Sequence, residues 1–249
     1  PLKAYTLNII GSIFGIIIFS IISFLSLPPI YWFGFGLLLT LWFFRNSKVD
    51  FILNFIIVLV AISVFYFFKE DVLWSPYSKI RILPLKVISS RKISKDEKPP
   101  GYHIMVNDAW HQVAIDFSTK RYEYHPILLS CKYHYELPYK FGNFKDVLVL
   151  GAGSGNDVAC ALRNGAEKID AVEIDPLIID IGKRLHPEKP YSSKKVKIIN
   201  EDARAFLNKT SKKYDLITMG LIDSHTLFSI MSTLRLENFV YTLECFKEV

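Results

Sequence analysis

Val147-Leu-Val-Leu-Gly-Ala-Gly-Ser-Gly-Asn-Asp157, followed by Ala171-Val-Glu-Ile-Asp175, decides how this chain reads. An aliphatic run leads into glycines at 151, 153 and 155, and a second apolar run ends in acid. That order predicts a strand, a turn that cradles a phosphate or nucleoside, a helix, and a second strand bearing a ribose-binding carboxylate. Glycine has no Cβ, so the backbone can turn tightly there and approach a ligand closely. Glu173 lies 18 residues after Gly155, near the ~20-residue spacing of a carboxylate that grips ribose hydroxyls. The pair points to a nucleoside-containing cofactor without naming it.

Downstream the pattern repeats. Strands are predicted at about 147–150, 169–174, 196–200 and 214–219. Helices are predicted from Val158 to Asn164, closed near Gly165, and from Pro176 to Leu185, where proline at the start lacks only an N–H that needs no partner. Alternating strand and helix predicts a parallel α/β sheet. The acids Glu173, Asp175, Asp202 and Asp223 fall at strand ends, the edge where open α/β sheets bind ligands. Asp175 before Pro176 and Asp202 before Ala203 suit helix N-caps equally well. Glu173 ends a buried apolar strand, so its charge needs a partner.

Upstream the composition changes. Residues 4–44 carry no Asp, Glu, Lys or Arg. Residues 7–27 form a run of 21 residues, long enough to cross a hydrocarbon core of ~30 Å. Pro28-Pro29 breaks it. Residues 30–44 are a second apolar run of 15 residues, short for a span, and residues 51–68 a third of 18. Two or three transmembrane helices are expected over 1–68; three runs and no cleavage-like site argue against a signal peptide. Arg45 and Lys48 flank the second run, whereas Lys69, Lys79, Arg81 and Lys86 follow the third. That asymmetry puts the remainder on the cytoplasmic side.

Residues 69–120 read as a connector and a small antiparallel β unit. Tyr77-Ser-Lys-Ile-Arg-Ile alternates like a strand, residues 89–101 read as a hairpin tip, and two further strands flank the turn at Asn107-Asp-Ala-Trp110. A helix is expected over 121–132, opening the α/β domain at 121–249. Three of the 30 bases and one of the 24 acids precede residue 69, which leaves the remainder at net +4. That is an ordinary solvated surface, and no nucleic-acid partner is expected. Cys131, Cys160, Cys245 and the six histidines show no ligand spacing, so no metal is expected. The chain starts at Pro1 and stops at Val249 with four predicted strands, fewer than a doubly wound sheet normally has; a fragment lacking the C-terminal part of the sheet is expected.

Over residues 77–249 the chain resembles the spermidine synthase family of aminopropyltransferases, relatives of class I methyltransferases. Asn107-Asp-Ala-Trp-His-Gln112 is similar to the family's Asp-Gly-x-x-Gln hairpin, and Tyr122-Glu-Tyr-His-Pro126 to its Tyr-His-Glu helix start. Gly151–Gly155, Val172-Glu-Ile-Asp175, Glu201-Asp-Ala203, Tyr214-Asp-Leu-Ile217 and Phe239-Val-Tyr-Thr-Leu-Glu-Cys-Phe246 follow in the family's order. The apolar runs resemble multi-span bacterial proteins carrying such a domain, which implies the inner membrane. The resemblance implies a Rossmann-like fold behind a small β domain, and a sulfonium co-substrate, decarboxylated S-adenosylmethionine or S-adenosylmethionine. It implies that Glu173 holds the ribose, that Asp202 and Ala203 meet the adenine, and that Gly151, Gly153, Ser154, Gly155, Asp157 and Asp175 complete the cofactor site. Gln112 and Tyr124 would face the reacting end, although Tyr124 also suits a packing residue of an amphipathic helix. A polyamine acceptor, the lipid bilayer and a homodimer are the expected partners.

Two departures bear on the chemistry. The family's Gly-Gly-Gly-Asp-Gly loop has Ser154 in place of its Asp, with Asp157 nearby, and the Asp-x-x-Asp-Pro after its fourth strand has Gly220 in place of the first acid and keeps the second as Asp223. A protonated amine has no lone pair, so attack on the sulfonium-linked carbon needs a base in hydrogen-bond reach. Asp223 is one candidate. His225 is another, since imidazole titrates near neutral pH, but it equally suits a loop residue bonded to backbone. Loss of the loop Asp leaves room for the carboxylate of undecarboxylated S-adenosylmethionine. Three readings therefore stand: aminopropyl transfer, methyl transfer on the same scaffold, and a nucleoside-binding sensor or structural module without turnover. An NAD site is disfavoured, because position 156 is Asn where Gly-x-Gly-x-x-Gly needs glycine.

Overall fold

A computed structural model describes residues 2–67, 71–85, 99–119, 126–220 and 240–248. The chain divides into two compact units, Pro1–Lys79 and Ile80–Val249. The boundary read from sequence at 120/121 falls inside the second.

In the first unit the three apolar runs are three helices, α1 (Leu2–Phe24), α2 (Pro29–Phe43) and α3 (Lys48–Phe67). α1 and α3 are long and apolar enough to cross a membrane; α2, at 15 residues, is shorter. Among the described residues, α1 and α2 bury no side chain and α3 buries Val58. Phe33 and Phe65 stack with centroids 5.0 Å apart, and Asn54 Nδ2 donates to Thr40 Oγ1 at 3.0 Å, tying α2 to α3. A two-residue strand, β1 (Leu73–Trp74), follows.

The second unit opens with antiparallel strands β2 (Lys79–Pro84), β3 (Gly101–Val106) and β4 (Ala109–Ile115). Ile80 pairs with Val106, and Ile104 with Gln112. The turn between β3 and β4 is made by Asn107 (φ 49°) and Asp108 (φ 65°). These residue types tolerate the left-handed region that a two-residue hairpin needs at both central positions. Most of the expected hairpin tip at 89–101 lies outside the described residues. The helix expected to end at Lys132 instead continues to Glu136 as α4 (Pro126–Glu136) and tightens into a 3₁₀ turn at Leu137–Lys140. Pro138, which has no N–H to offer, is the first residue that cannot extend it.

The predicted alternation is a parallel sheet of β5 (Asp146–Leu150), β6 (Lys168–Glu173), β7 (Val196–Asn200) and β8 (Leu216–Met219), in the order β7-β6-β5-β8. It is interleaved with α5 (Asn156–Arg163), α6 (Pro176–Leu185) and α7 (Ala203–Lys209); α8 (Leu243–Glu248) comes last. This is a class I methyltransferase-like arrangement. β8 starts two residues later than the pattern predicts. Tyr214 donates its hydroxyl to Asp170 Oδ2 at 2.7 Å, and Asp215 Oδ2 accepts the N–H of Lys145 and of Asp146, both at 2.9 Å. Val147, Leu148, Val149 and Leu150 are fully buried between the helical layers, which is why β5 reads as a continuous apolar run. The inner face of the hairpin, Ile80, Ile104, Val106 and Ala114, packs against Ile178 and Ile181 of α6. From β5 the chain builds outward to β6 and β7, then crosses to β8 on the other side. The crevice between the C-terminal ends of β5 and β8 is therefore the topological switch point, where such sheets take their ligands.

Candidate active site

The turn after β5 requires its glycines. Gly151, Gly153 and Gly155 have φ of 67°, 56° and 109°, a region L side chains rarely adopt. At Gly153 a Cβ would also come within 2.6 Å of Gln112 Oε1. Gln112 reaches across from β4, and its Oε1 accepts both the N–H (2.8 Å) and the hydroxyl (2.9 Å) of Ser154. Ser154 is fully buried, so its one side-chain donor is spent on the hairpin.

Glu173 ends β6 beneath this turn. Its Oε2 accepts from Gly153 N at 2.8 Å and its Oε1 from Asp175 N at 3.0 Å. Burial pushes its pKa up, and these backbone bonds pull the other way. The partner that an acid at a buried strand end demands is thus the turn itself, and two bonds leave further lone pairs of a carboxylate for a ligand. Asp175 Oδ1 caps α6 at Leu177 N (2.9 Å) and Asp202 Oδ1 caps α7 at Ala205 N (2.8 Å). Ala203 is buried in the cluster with Leu148 and Leu150. Each takes the structural place its spacing allowed.

Three residues of the site escaped the sequence reading. Tyr191 donates its hydroxyl to Gly153 O at 2.7 Å, and Gly182 of α6 makes room beside it, since a Cβ there would meet Ser154 O at 2.5 Å. Asn156, at the position that excluded the dinucleotide motif, is a buried cross-link. Its Nδ2 donates to Val113 O at 2.5 Å and to the Tyr135 hydroxyl at 3.2 Å, while Oδ1 faces His186 Nε2 at 2.9 Å. His186 Nδ1 accepts from Glu188 N, which leaves the ring proton on Nε2, aimed at Asn156. Burial, then the nearby Arg163, lowers the His186 pKa to about 4. Asn156 had a signal, its substitution for glycine; Tyr191 had none.

Asp157, in the first turn of α5, stands apart from the network. It is half-buried, and a Cβ on Gly220, the residue just past β8, would lie 3.2 Å from its Oδ2. Burial raises its pKa to about 6 against a hydrogen bond from its own backbone N–H. Asp157 therefore sits in the switch-point crevice. Ser154, which it was expected to accompany, has its side chain turned to Gln112. The three expected catalytic residues, Tyr124, Asp223 and His225, lie outside the described residues.

Residues 131–240 match the spermine/spermidine synthase domain. The polyamine aminopropyltransferase of Clostridium perfringens is 38% identical over 84 residues, 32% of this chain and 30% of that protein. The polyamine aminopropyltransferase of Thermoplasma volcanium is 30% identical over 104 residues, 41% and 37% of the two chains. The chain thus spans between 30% and 37% of these relatives' length. Among solved structures, a spermidine synthase in complex with the transition state analogue AdoDATO aligns with TM-score 0.45 and 16% identity, covering 72% of this chain and 51% of that one. The spermidine synthase from Thermotoga maritima aligns with TM-score 0.40 and 18% identity, covering 59% and 46%.

Proposed function

We propose that this chain is part of a membrane-tethered aminopropyltransferase, which moves an aminopropyl group from decarboxylated S-adenosylmethionine to a polyamine amine. The observation that carries the reading is the Glu173 carboxylate, at the C-terminal end of β6 and locked to the glycine turn, within a segment that matches a spermine/spermidine synthase domain. The turn would cradle the sulfonium nucleoside, Glu173 would accept from its ribose hydroxyls, and Asp202-Ala203 would border the adenine. Gln112, Gly151, Gly153, Ser154, Gly155 and Asp175 would hold the turn in shape around it. The acceptor amine would approach along the β5–β8 crevice, with Tyr124, Asp223 and His225 as further groups for its reacting end. Tethering rests on α1 and α3, whose apolar side chains are nearly all exposed; monomeric soluble proteins rarely expose so large an apolar surface. The inner membrane, a cytoplasmic enzyme domain and a homodimer complete the proposal.

Methyl transfer from S-adenosylmethionine is the second reading. It is favoured by Ser154, a neutral residue with its hydroxyl committed to Gln112, where an acid would repel the amino-acid carboxylate. Calorimetry on the full-length protein with both sulfonium compounds decides between them. Tighter binding of the decarboxylated compound, with transfer to a linear polyamine, is expected. Equal or tighter binding of S-adenosylmethionine moves the assignment to methyl transfer, and binding of neither removes both.

A further inference from the structure

Deepening that reading, and resting on it for the nature of the acceptor, we propose that Asp157 binds the acceptor's ammonium group and takes its proton. On this view Asp157 reaches from α5 into the volume that a side chain at position 220 would otherwise fill. Gly220 directly follows β8, and its missing Cβ leaves the Asp157 carboxylate room 3.2 Å away. A Cβ at 220 would make that oxygen give by a few tenths of an ångström. The carboxylate thereby lies between the ends of β5 and β8, at the switch point.

The electrostatics point the same way. The titratable groups that feel the Asp157 charge are Tyr135 on α4, Tyr139 in the following 3₁₀ turn, Cys160 on α5 and Tyr191 near the glycine turn. All four are neutral acids at neutral pH, held so first by burial and further by the Asp157 charge itself. Among the described residues no cation and no side-chain donor is paired with Asp157, and its hydrogen bond comes from its own backbone N–H. Buried charges are ordinarily paired. A first-turn acid is favoured by the helix dipole; at Asp157 burial outweighs that and the bond from its own backbone N–H, so the carboxylate is held above its ordinary pKa. A half-buried carboxylate with no cation beside it among the described residues is matched by a ligand that brings its own positive charge. An alkylammonium does.

The step balances. The ionised carboxylate accepts a proton from R–NH₃⁺ and leaves R–NH₂. The nitrogen lone pair then forms a bond to the sulfonium-linked carbon, the C–S bond breaks, and its electron pair returns to sulfur as a neutral thioether. The product is a secondary ammonium, and Asp157 returns its proton to solvent. A base poised near the working pH suits this role.

The test uses the full-length chain as wild type, Asp157→Asn, Asp157→Ala with Gly220→Asp, and Asp157→Ser as a second removal. Loss of a positioned base lowers kcat by ~10²–10⁴-fold. Asp157→Asn and Asp157→Ser are expected to show that loss with the wild-type cofactor Kd, and to lose the acid limb of the pH profile near 6. Asp157→Ala with Gly220→Asp is expected to regain at least ~10-fold over Asp157→Asn by putting a carboxylate back from the other side. Wild-type kcat and pH profile in both removals would overturn the proposal. If the wild type binds the sulfonium compound but transfers nothing, the aminopropyl reading fails on its own. Asp157 is then judged by titrating 1,4-diaminobutane into the loaded protein. Binding lost in Asp157→Asn supports the amine site; equal binding, or none in the wild type, sinks it.

Discussion

Two carboxylates occupy the same edge of one sheet and are treated oppositely. Glu173, at the end of β6, and Asp157, beside the end of β8, are both pushed upward in pKa by burial. Glu173 is met by the N–H groups of Gly153 and Asp175, which pull against the rise that burial causes. Asp157 is met by its own backbone N–H and lies beside Gly220, with no cation paired to it among the described residues. The first is built into the turn and holds it; the second is kept in an uncomfortable place. Proteins bear such local discomfort mainly where it does chemistry.

The contrast can be broken most forcefully at Glu173. Glu173→Ala strips two buried backbone donors of their acceptor, each worth ~1–3 kcal/mol, so a loss of about 3–5 kcal/mol in denaturant unfolding is expected, together with cofactor binding. A smaller loss would mean that water or the loop re-satisfies the turn. Asn156→Ala should follow, at about 2–3 kcal/mol, since it orphans Val113 O and the buried His186 ring together. Asp157→Asn should have the opposite sign and stabilise the protein by about 1–2 kcal/mol at pH 7.5, less than the full pKa shift implies because the carboxylate still touches water. The smallest effect, about 1 kcal/mol, is expected for Ser154→Ala, which removes one of two bonds to Gln112.

Acid titration sharpens the comparison further. The folded-state pKa of Asp157 is raised to about 6, so between that value and 3.8 the folded chain holds more protons at this site than the unfolded chain. Its contribution to stability therefore grows as pH falls through that window. His186 does the reverse. Its folded pKa is depressed to about 4 from 6.5, so stability is lost as pH falls from 6.5 towards 4. The two nearly oppose each other over the same range. In Asp157→Asn the His186 term stands alone, and the unfolding midpoint between pH 6.5 and 4 should fall more steeply than in the wild type. Parallel slopes would mean that Asp157 is not buried as described.

Much of this was legible along the chain because it is local. The glycine turn, the caps at Asp175 and Asp202, the Asn107-Asp108 turn and the three apolar helices all follow from spacings of a few residues. What stayed hidden depends on partners far apart in sequence. Nothing near Asp157 announces Gly220, and nothing near Gly153 announces Tyr191. The bonds of Ser154 to Gln112 depend on β4, 42 residues away in sequence, and no local spacing announces them. β8 begins at Leu216, two residues after Tyr214, although Asp215 N still donates to Asp146 O at 2.8 Å.

The packing of the β3–β4 hairpin on α6 has a consequence for how the chain comes into being. The hairpin can close in ~1–10 μs once it leaves the ribosome. Ile178 and Ile181, which cover Ile104 and Val106, lie about 70 residues further on, a delay on the order of 4–15 s at ~5–20 residues per second. For those seconds the nascent hairpin shows a finished apolar face with nothing to cover it. The window closes when α6 is made, so slowing translation between residues 116 and 176 should raise misfolding more than slowing it after residue 185.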